Sequence, residues 1–141
     1  MRDLTPAECM EVLARHTFGR LGVRDAEGVL ILPLSYALAG EALIAHAGPG
    51  HKLHSMRLWP HVAFEVDEVR DRAHWRSVLV RGRFKELLNE DDRTAARLAL
   101  LRAFEGSASS ITAPHGHSVH LADAIMFRIC IDAVTGRAES L

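Results

Sequence analysis

Short apolar segments separated by turn residues recur about every dozen residues in the first third of the chain, and this spacing constrains the fold most. Strand-like segments at residues 18–24, 29–38 and 42–47 are separated by turns at 25–28 and 39–41. Turn spacing of this kind is typical of antiparallel barrels and sandwiches. We therefore expect a mainly β protein in which these three segments form a meander.

Pro33 interrupts the longest of these apolar segments. Proline has no backbone N–H to donate to a ladder, so we expect the strand to be irregular or unpaired at this position. An irregular strand leaves room for a ligand to approach the backbone.

Three helices are predicted in addition to the strands. Thr5, Pro6 and Glu8 match an N-cap, a first-turn proline and a capping box, which places the start of the first helix there. Helical spacing predicts two more helices, over residues 51–59 and 91–105. The expected buried face of the last helix consists of small and aliphatic side chains: Ala95, Leu98, Ala99 and Leu101.

The second half of the chain adds three more predicted strands. Apolar residues alternate over 62–66, and a long strand follows over 75–87, in which Gly82 marks a bulge. Residues 68–74 between them are rich in charge and predict a loop. A final strand over 124–134 closes the fold.

Composition bounds the class of protein. The chain has 141 residues, 48% of them hydrophobic, which predicts one domain spanning 1–141. Seventeen basic and eighteen acidic residues leave a net charge of -1, so no overall field favours nucleic acid or a membrane surface. No apolar run is long enough to span a bilayer or act as a signal peptide, and Cys9 and Cys130 form no C-x-x-C pair. We expect a cytoplasmic protein.

The segment 46–53 carries the most chemical information, because it combines a strand end, a Gly-Pro-Gly turn and a helix start. Unpaired N–H groups and the helix dipole favour an anion at such a helix start. Lys52 is unfavourable for the dipole by itself, but a phosphate between Lys52 and His51 cancels that repulsion. An ordinary glycine turn with solvated side chains is the alternative that spacing alone leaves open.

Four segments together carry a family resemblance: ILPLSY at 31–36, LIAHAGPGHKL at 43–53, WPHVAFEVD at 59–67 and WRSVLVRGR at 75–83. In this order and spacing they resemble the FMN-binding split-barrel, or pyridoxamine 5'-phosphate oxidase-like, family over about residues 5–137. The resemblance implies a mainly β split barrel with flanking helices, a homodimer, and an FMN site at the dimer interface.

The resemblance also implies which residues contact FMN. The flavin ring is expected along the strand from Pro33 to Tyr36, and the phosphate at the turn from Gly50 to Lys52. Ser77 stands where family members place a glutamine of the other subunit near the flavin. Because histidine replaces other side chains near the phosphate, affinity is expected to fall as pH rises. The implied cofactor-binding residues are Pro33, Leu34, Ser35, Tyr36, His46, Gly50, His51, Lys52 and Ser77.

The resemblance implies a reaction class as well. The vitamin B6 oxidases carry a C-terminal segment with tryptophan and arginines, whereas this chain ends soon after its last strand. Length and the 75–78 segment look closer to the nitroimidazole-resistance proteins, which are credited with reducing nitro groups. We expect an FMN-dependent oxidoreductase, with nitroaromatic compounds as candidate substrates and no catalytic base identified. The alternative is a non-catalytic flavin- or haem-binding sensor.

Two further patterns suggest other functions. His115, His117 and His120 in the aperiodic stretch 107–122 have spacing that allows three nitrogen ligands to a metal. Without a nearby cysteine or an H-E-x-x-H motif, we interpret them as a polar loop or a lid and predict no metal site. Arg81, Arg83 and Lys85 alternate on one strand face, but Phe84 points to the opposite face, so no nucleic-acid partner is expected.

Overall fold

The computed structural model describes residues 1–105 and 124–140. In these ranges the chain forms strands and helices in an order that starts and ends with β structure. The strands are β1 (Arg2–Asp3), β2 (Phe18–Asp25), β3 (Gly28–Ser35), β4 (Ala37–Ala39), β5 (Ala42–Ala47), β6 (His61–Asp71), β7 (His74–Glu86) and β8 (Ile125–Glu139). The helices are α1 (Pro6–Arg15), α2 (His51–Leu58) and α3 (Glu90–Phe104).

The strands form one antiparallel sheet in the order β3-β2-β6-β7-β8-β5-β4, with β1 paired to β8. Leu34 of β3 and Leu43 of β5 lie near opposite ends of this order, yet both are buried in the same apolar cluster. The sheet therefore curves around its core as a half-barrel. The expected mainly β fold with flanking helices is confirmed, and its sheet matches a split barrel.

The predicted meander is wrong, because the 29–38 segment is two strands rather than one. The break comes at Tyr36, whose ring enters the core and meets Phe64 edge-on at a centroid distance of 5.0 Å. Beyond this residue the chain crosses to the other end of the sheet and forms the β4–β5 hairpin. Burial of one aromatic ring thus separates the β2–β3 hairpin from the β4–β5 hairpin.

Pro33 does not disturb its strand, contrary to the sequence-based expectation. Its register with Arg20 of β2 is regular. The N–H of Tyr36 points toward the β2 side, where it donates to the Thr17 carbonyl at 2.8 Å. Backbone groups alternate in direction along a strand, so the nitrogen of Pro33, three residues earlier, points away from β2. Within the described part of the chain β3 pairs only with β2, so the missing N–H faces an open edge and no ladder bond is lost.

The helices pack on both surfaces of the sheet. Cys9, Val12 and Leu13 of α1 and Met56 of α2 join the core inside the curve. The α3 helix instead covers β4, β5 and β8 from the outer side. None of these three helices has the length and apolar character needed to cross a bilayer.

The predicted buried face of α3 is wrong. Leu98 and Leu101 are 48% and 44% exposed, and Ala95 is exposed as well. The face that packs contains Phe104, a large side chain that the predicted stripe left out. Aliphatic side chains of the outer sheet surface select this face, on which Ala96, Leu100 and Phe104 are buried and Ala99 and Ala103 are partly buried.

Local signals in the sequence were read correctly. The Thr5 hydroxyl accepts from the Glu8 N–H at 3.1 Å, and the Glu8 carboxylate accepts from the Thr5 N–H at 3.0 Å, which confirms the capping box. The β7–β8 register shifts at Gly82 as predicted, and a Cβ at this position would lie 2.5 Å from the Cys130 carbonyl oxygen. One local prediction is wrong: residues 68–74 do not form a loop, because β6 and β7 continue through most of this stretch as a hairpin.

Candidate functional site

The N-terminus of α2 has no side-chain cap. Gly50 stands at the N-cap position and has no side chain to accept from the first amides, and the first turn contains no acidic residue. The first bond within the helix is donated by the His54 N–H to the Gly50 carbonyl at 3.1 Å. The preceding amides at 51–53 therefore have no partner inside the helix, and they carry the positive end of its dipole.

Lys52 brings an uncompensated positive charge to the same place. Its side chain is half-buried and makes no hydrogen bond or ion pair with any residue of the described ranges. Burial lowers the pKa of Lys52 from its usual range. A partly buried ammonium group without a counterion favours an anionic ligand.

His46 adds an unsatisfied polar atom. Its Nδ1 is buried and has no hydrogen-bond partner in the described structure. Burial, and then the charge of Lys52, lower the pKa of His46 below its ordinary value. A buried ring nitrogen of this kind calls for a partner, and none of the described side chains provides it.

The turn that joins β5 to α2 leaves room for a ligand. A Cβ placed on Gly48 or Gly50 would meet no heavy atom within 4 Å. Gly50 directly precedes α2 in the chain, so its open side lies at the N-terminus of this helix. Glycine at both positions lets a ligand approach the backbone closely.

His51 is held by a residue that the sequence analysis did not identify. Its Nε2 lies 3.2 Å from Oδ2 of Asp25, whose side chain is only 8% exposed. The hydrogen bond with His51, followed by the one from the Glu27 N–H, lowers the pKa of Asp25. This contact joins the tip of the β2–β3 hairpin to the start of α2. No local sequence signal connects two residues so far apart in the chain.

The strand predicted to lie along a flavin ring is an open edge of the sheet. Leu34 and Tyr36 are buried, and the Tyr36 hydroxyl donates to the Leu13 carbonyl at 2.6 Å, so neither side chain is free for a ligand. Pro33 is exposed and Ser35 is half-buried. Ladder alternation turns the Ser35 N–H and the Pro33 and Ser35 carbonyls toward this edge, so the backbone is what the strand offers.

His46, Gly50 and Lys52 at the N-terminus of α2 are called the α2 cluster. Within one chain, Ser77 lies far from this cluster. His46 pairs with Met126 of β8, and the neighbouring Phe127 pairs with Glu86 at the far end of β7. Ser77 is therefore about 30 Å along β7 from the level of His46. The structure brings His46, Gly50 and Lys52 together but does not bring Ser77 to them.

Ser77 takes part in a separate polar group on the outer sheet face. Its hydroxyl donates to Oε2 of Glu65 at 3.0 Å. Burial and the neighbouring Asp67 raise the pKa of Glu65 above its usual range. Beside Ser77, a cleft of about 700 Å³ extends between Trp75 and Thr135.

The histidine pattern proposed for a metal or a lid lies outside the described residues. This concerns His115, His117 and His120 and the surrounding stretch 107–122. In the part of the chain that the structure describes, no group of three or more His, Cys, Asp and Glu side chains is arranged to hold a metal ion.

Known proteins resemble this chain in sequence and in fold. A FAD-binding protein of Mesorhizobium loti is 32% identical, with 99% of this chain and 98% of that protein covered and a TM-score of 0.78. A Bacteroides thetaiotaomicron protein assigned to 5-nitroimidazole antibiotic resistance is 15% identical over 96% of this chain and 86% of its own, with a TM-score of 0.74. At that identity the likeness shows the fold alone.

An uncharacterised protein of Rhizobium meliloti is 33% identical over 87 residues, which are 62% of this chain and 58% of that relative. The chain therefore matches little more than half the length of this curated relative. The family model described as pyridoxamine 5'-phosphate oxidase matches residues 5–138, which include α1, the whole sheet core and the α2 cluster. The chain belongs to the pyridoxamine 5'-phosphate oxidase family.

Proposed function

We propose that this protein binds the flavin nucleotide FMN at the N-terminus of α2 and works as a flavin-dependent oxidoreductase. The observation that carries the proposal is the meeting of three unsatisfied groups: the half-buried Lys52 ammonium, the buried Nδ1 of His46 and the free amides of α2. A phosphate monoester satisfies all three at once. The 32% identical relative that is named as FAD-binding supports a flavin as the group that carries this phosphate.

Each residue of the cluster has a distinct task toward the phosphate. The α2 amides donate to phosphate oxygens, Lys52 supplies the countercharge, and His46 donates from Nδ1. Gly48 and Gly50 keep the backbone accessible, and Asp25 holds the His51 ring at the rim. The protein thus supplies binding and orientation, while a bound flavin supplies the electron-transfer chemistry.

The edge of β3 supports a place for the flavin ring. The ring carries alternating carbonyl and N–H groups, and the outward-facing backbone of Pro33 and Ser35 offers complementary donors and acceptors. Because backbone groups make these contacts, the absence of a lysine at Ser35 does not remove them. The burial of the Leu34 and Tyr36 side chains is compatible with this site, because the ring contacts come from the backbone of Pro33 and Ser35.

We infer that a second copy of the chain completes the site. Phe18, Val29 and Ile31 on the outer face of β2 and β3 are 42%, 74% and 73% exposed, which is unfavourable for large apolar side chains on one surface. A cleft of about 340 Å³ on this face reaches Leu79, which also lines the cleft beside Ser77. The apolar face and the Ser77 cleft therefore meet at Leu79, and we expect a partner seated there to bring its Ser77 near the β3 edge.

Nitroaromatic compounds are the substrate class that we propose. The support is the shared fold with the protein assigned to nitroimidazole resistance. NADH and NADPH are the electron donors to test. The cytoplasmic location stays a prediction.

Titration of the apo protein with FMN, riboflavin and FAD tests the flavin site, with flavin fluorescence as the readout. We expect Lys52→Ala to weaken FMN binding by about 1.5 to 3 kcal/mol, the range for a charge-assisted hydrogen bond. Riboflavin, which lacks the phosphate, binds both proteins weakly and equally. Lys85→Ala removes the exposed lysine of β7 and serves as the control.

Each outcome of this titration decides one part of the proposal. Unchanged FMN affinity in Lys52→Ala overturns the phosphate assignment. FAD binding that is tighter than FMN, with the same dependence on Lys52, keeps the flavin site and replaces FMN by FAD. A flavin-loaded protein that reduces no nitroaromatic compound with either nicotinamide donor favours the non-catalytic alternative, and a Soret band in the purified protein favours haem.

The dimer is tested by analytical ultracentrifugation. We expect the protein to sediment at twice the monomer mass, and Ile31→Asp to yield the monomer because it buries a charge in the interface. Leu98→Asp, at an exposed leucine on α3, is the matched control and leaves the mass unchanged. A dimer that withstands Ile31→Asp rules out this face.

A further inference from the structure

A second charged cleft lies at the opposite end of the half-barrel from the α2 cluster. It has a volume of about 570 Å³ and is formed by the C-terminal end of α1 and by the β6–β7 hairpin. Its position along β7 is about 33 Å from the level of His46, so it is separate from the proposed flavin phosphate site. Its lining residues are Arg15, His16, Glu68, Val69, Arg70 and Arg76.

Glu68 is fully engaged by two of its neighbours. Arg15 donates through Nε and Nη2 to the two carboxylate oxygens at 3.1 and 3.0 Å, and His16 Nε2 lies 2.7 Å from Oε2. Burial opposes ionisation of Glu68, but these two partners outweigh it and lower its pKa. The single carboxylate of the cleft is thus used to neutralise Arg15.

Arg70 and Arg76 retain their charge without compensation. Arg76 is the direct cross-strand neighbour of Glu68, yet the carboxylate bonds to Arg15 and His16 and makes no hydrogen bond or ion pair with Arg76. Nε of Arg76 is buried and has no hydrogen-bond partner in the described structure. Arg70 also makes no hydrogen bond or ion pair within those residues. A buried guanidinium N–H without an acceptor is rare in native proteins and indicates an unfilled site.

We propose that this cleft binds a small dianionic oxyanion of the phosphate monoester class. Two uncompensated guanidinium groups match the charge of a dianion better than that of a monocarboxylate. The planar fork of arginine also fits paired phosphate oxygens. Arg76 donates from its buried Nε, Arg70 supplies the second charge from the rim, and the Arg15–Glu68–His16 group forms the rigid wall beside them.

Calorimetric titration with inorganic phosphate tests this site. The titrations use the Lys52→Ala background, so that binding at α2 does not contribute. We expect saturable phosphate binding that Arg76→Gln weakens about tenfold or more, the effect of losing one charge-assisted hydrogen bond. Arg72→Gln removes an exposed arginine from the same hairpin and leaves the affinity unchanged. Acetate at equal ionic strength binds much more weakly than phosphate.

Three results would overturn the proposal. They are the absence of saturable phosphate binding, an equal loss in Arg72→Gln and Arg76→Gln, and acetate binding as tight as that of phosphate. Arg70→Gln provides a second variant at an exposed position, where a folding defect is not expected, and it is expected to weaken phosphate binding as well. Because the flavin titration uses Lys52 and this one uses the arginines, failure of either proposal leaves the other standing.

Discussion

The N-termini of α1 and α2 solve the same physical problem in opposite ways. Both helices begin with amides that have no partner inside the helix. In α1 the Thr5 hydroxyl accepts from the Glu8 N–H, and the Glu8 carboxylate accepts from the Thr5 N–H. The backbone hydrogen bond from Thr5, with the nearby Arg2, lowers the pKa of Glu8 to about 2. In α2 the cap is Gly50, and Lys52 adds positive charge where the dipole already disfavours it.

Under the proposed function, this difference separates a structural helix end from one that binds an anion. The amides and charge of α1 are balanced by its own residues, so the helix needs no ligand. Those of α2 have no such partner among the described side chains, so under the proposed function the stability of the α2 end is coupled to ligand binding. A Gly50→Asp substitution converts the α2 end to the α1 type, and the pH dependence of FMN binding reports on the electrostatics that the open end creates.

The largest effect is expected when Gly50 is replaced by aspartate. The backbone at Gly50 is extended, with φ of 165°, and a Cβ there meets nothing, so a side chain fits without strain. Aspartate caps the amides and opposes a bound phosphate, and like charges in contact cost several kcal/mol. We expect FMN affinity to fall by about 100-fold or more, measured by fluorescence titration.

Two variants serve as controls for this prediction. Gly50→Asn caps the same amides without charge, so its smaller loss of FMN affinity separates competition for the amides from charge repulsion. Thr5→Ala opens the α1 cap, which lowers the free energy of unfolding by about 1 kcal/mol and leaves FMN affinity unchanged. If Gly50→Asp binds FMN like the wild type, the contrast between the two helices has no functional meaning.

A smaller effect is expected in the pH dependence of FMN binding. In the free protein burial and Lys52 lower the pKa of His46, and a bound phosphate offsets the repulsion from Lys52 and raises it again. Binding therefore takes up a proton, and affinity rises as pH falls through the pKa of His46 in the complex. The same depressed pKa makes folding of the free protein less favourable as pH falls below about 6.5.

The comparison of wild type with His46→Gln isolates this contribution. The FMN phosphate titrates in both proteins, so only the difference between their affinity curves reports on His46. We expect the wild type to gain affinity over His46→Gln by a few-fold between about pH 8 and pH 6. Curves of identical shape would show that His46 does not contact the phosphate.

The accuracy of the sequence-based predictions depended on the distance over which each feature is determined. The α1 capping box and the start of α2 were predicted correctly because neighbouring residues determine them, and the bulge at Gly82 was predicted correctly because glycine itself marks the position. The buried face of α3 was wrong, because residues of β4, β5 and β8 select it. Asp25 was missed as the partner of His51 for the same reason.

The sequence by itself determined the mainly β class, the family, and the glycine turn with Lys52 at a helix start, because these depend on residue type and local spacing. Only the tertiary structure decided that Tyr36 enters the core, that Pro33 lies on an open edge and that His46 Nδ1 remains unsatisfied. It also decided that the Glu68 carboxylate accepts from Arg15 and not from its cross-strand neighbour Arg76. Each of these depends on which distant groups share a buried space, and that is set by how the strands pair.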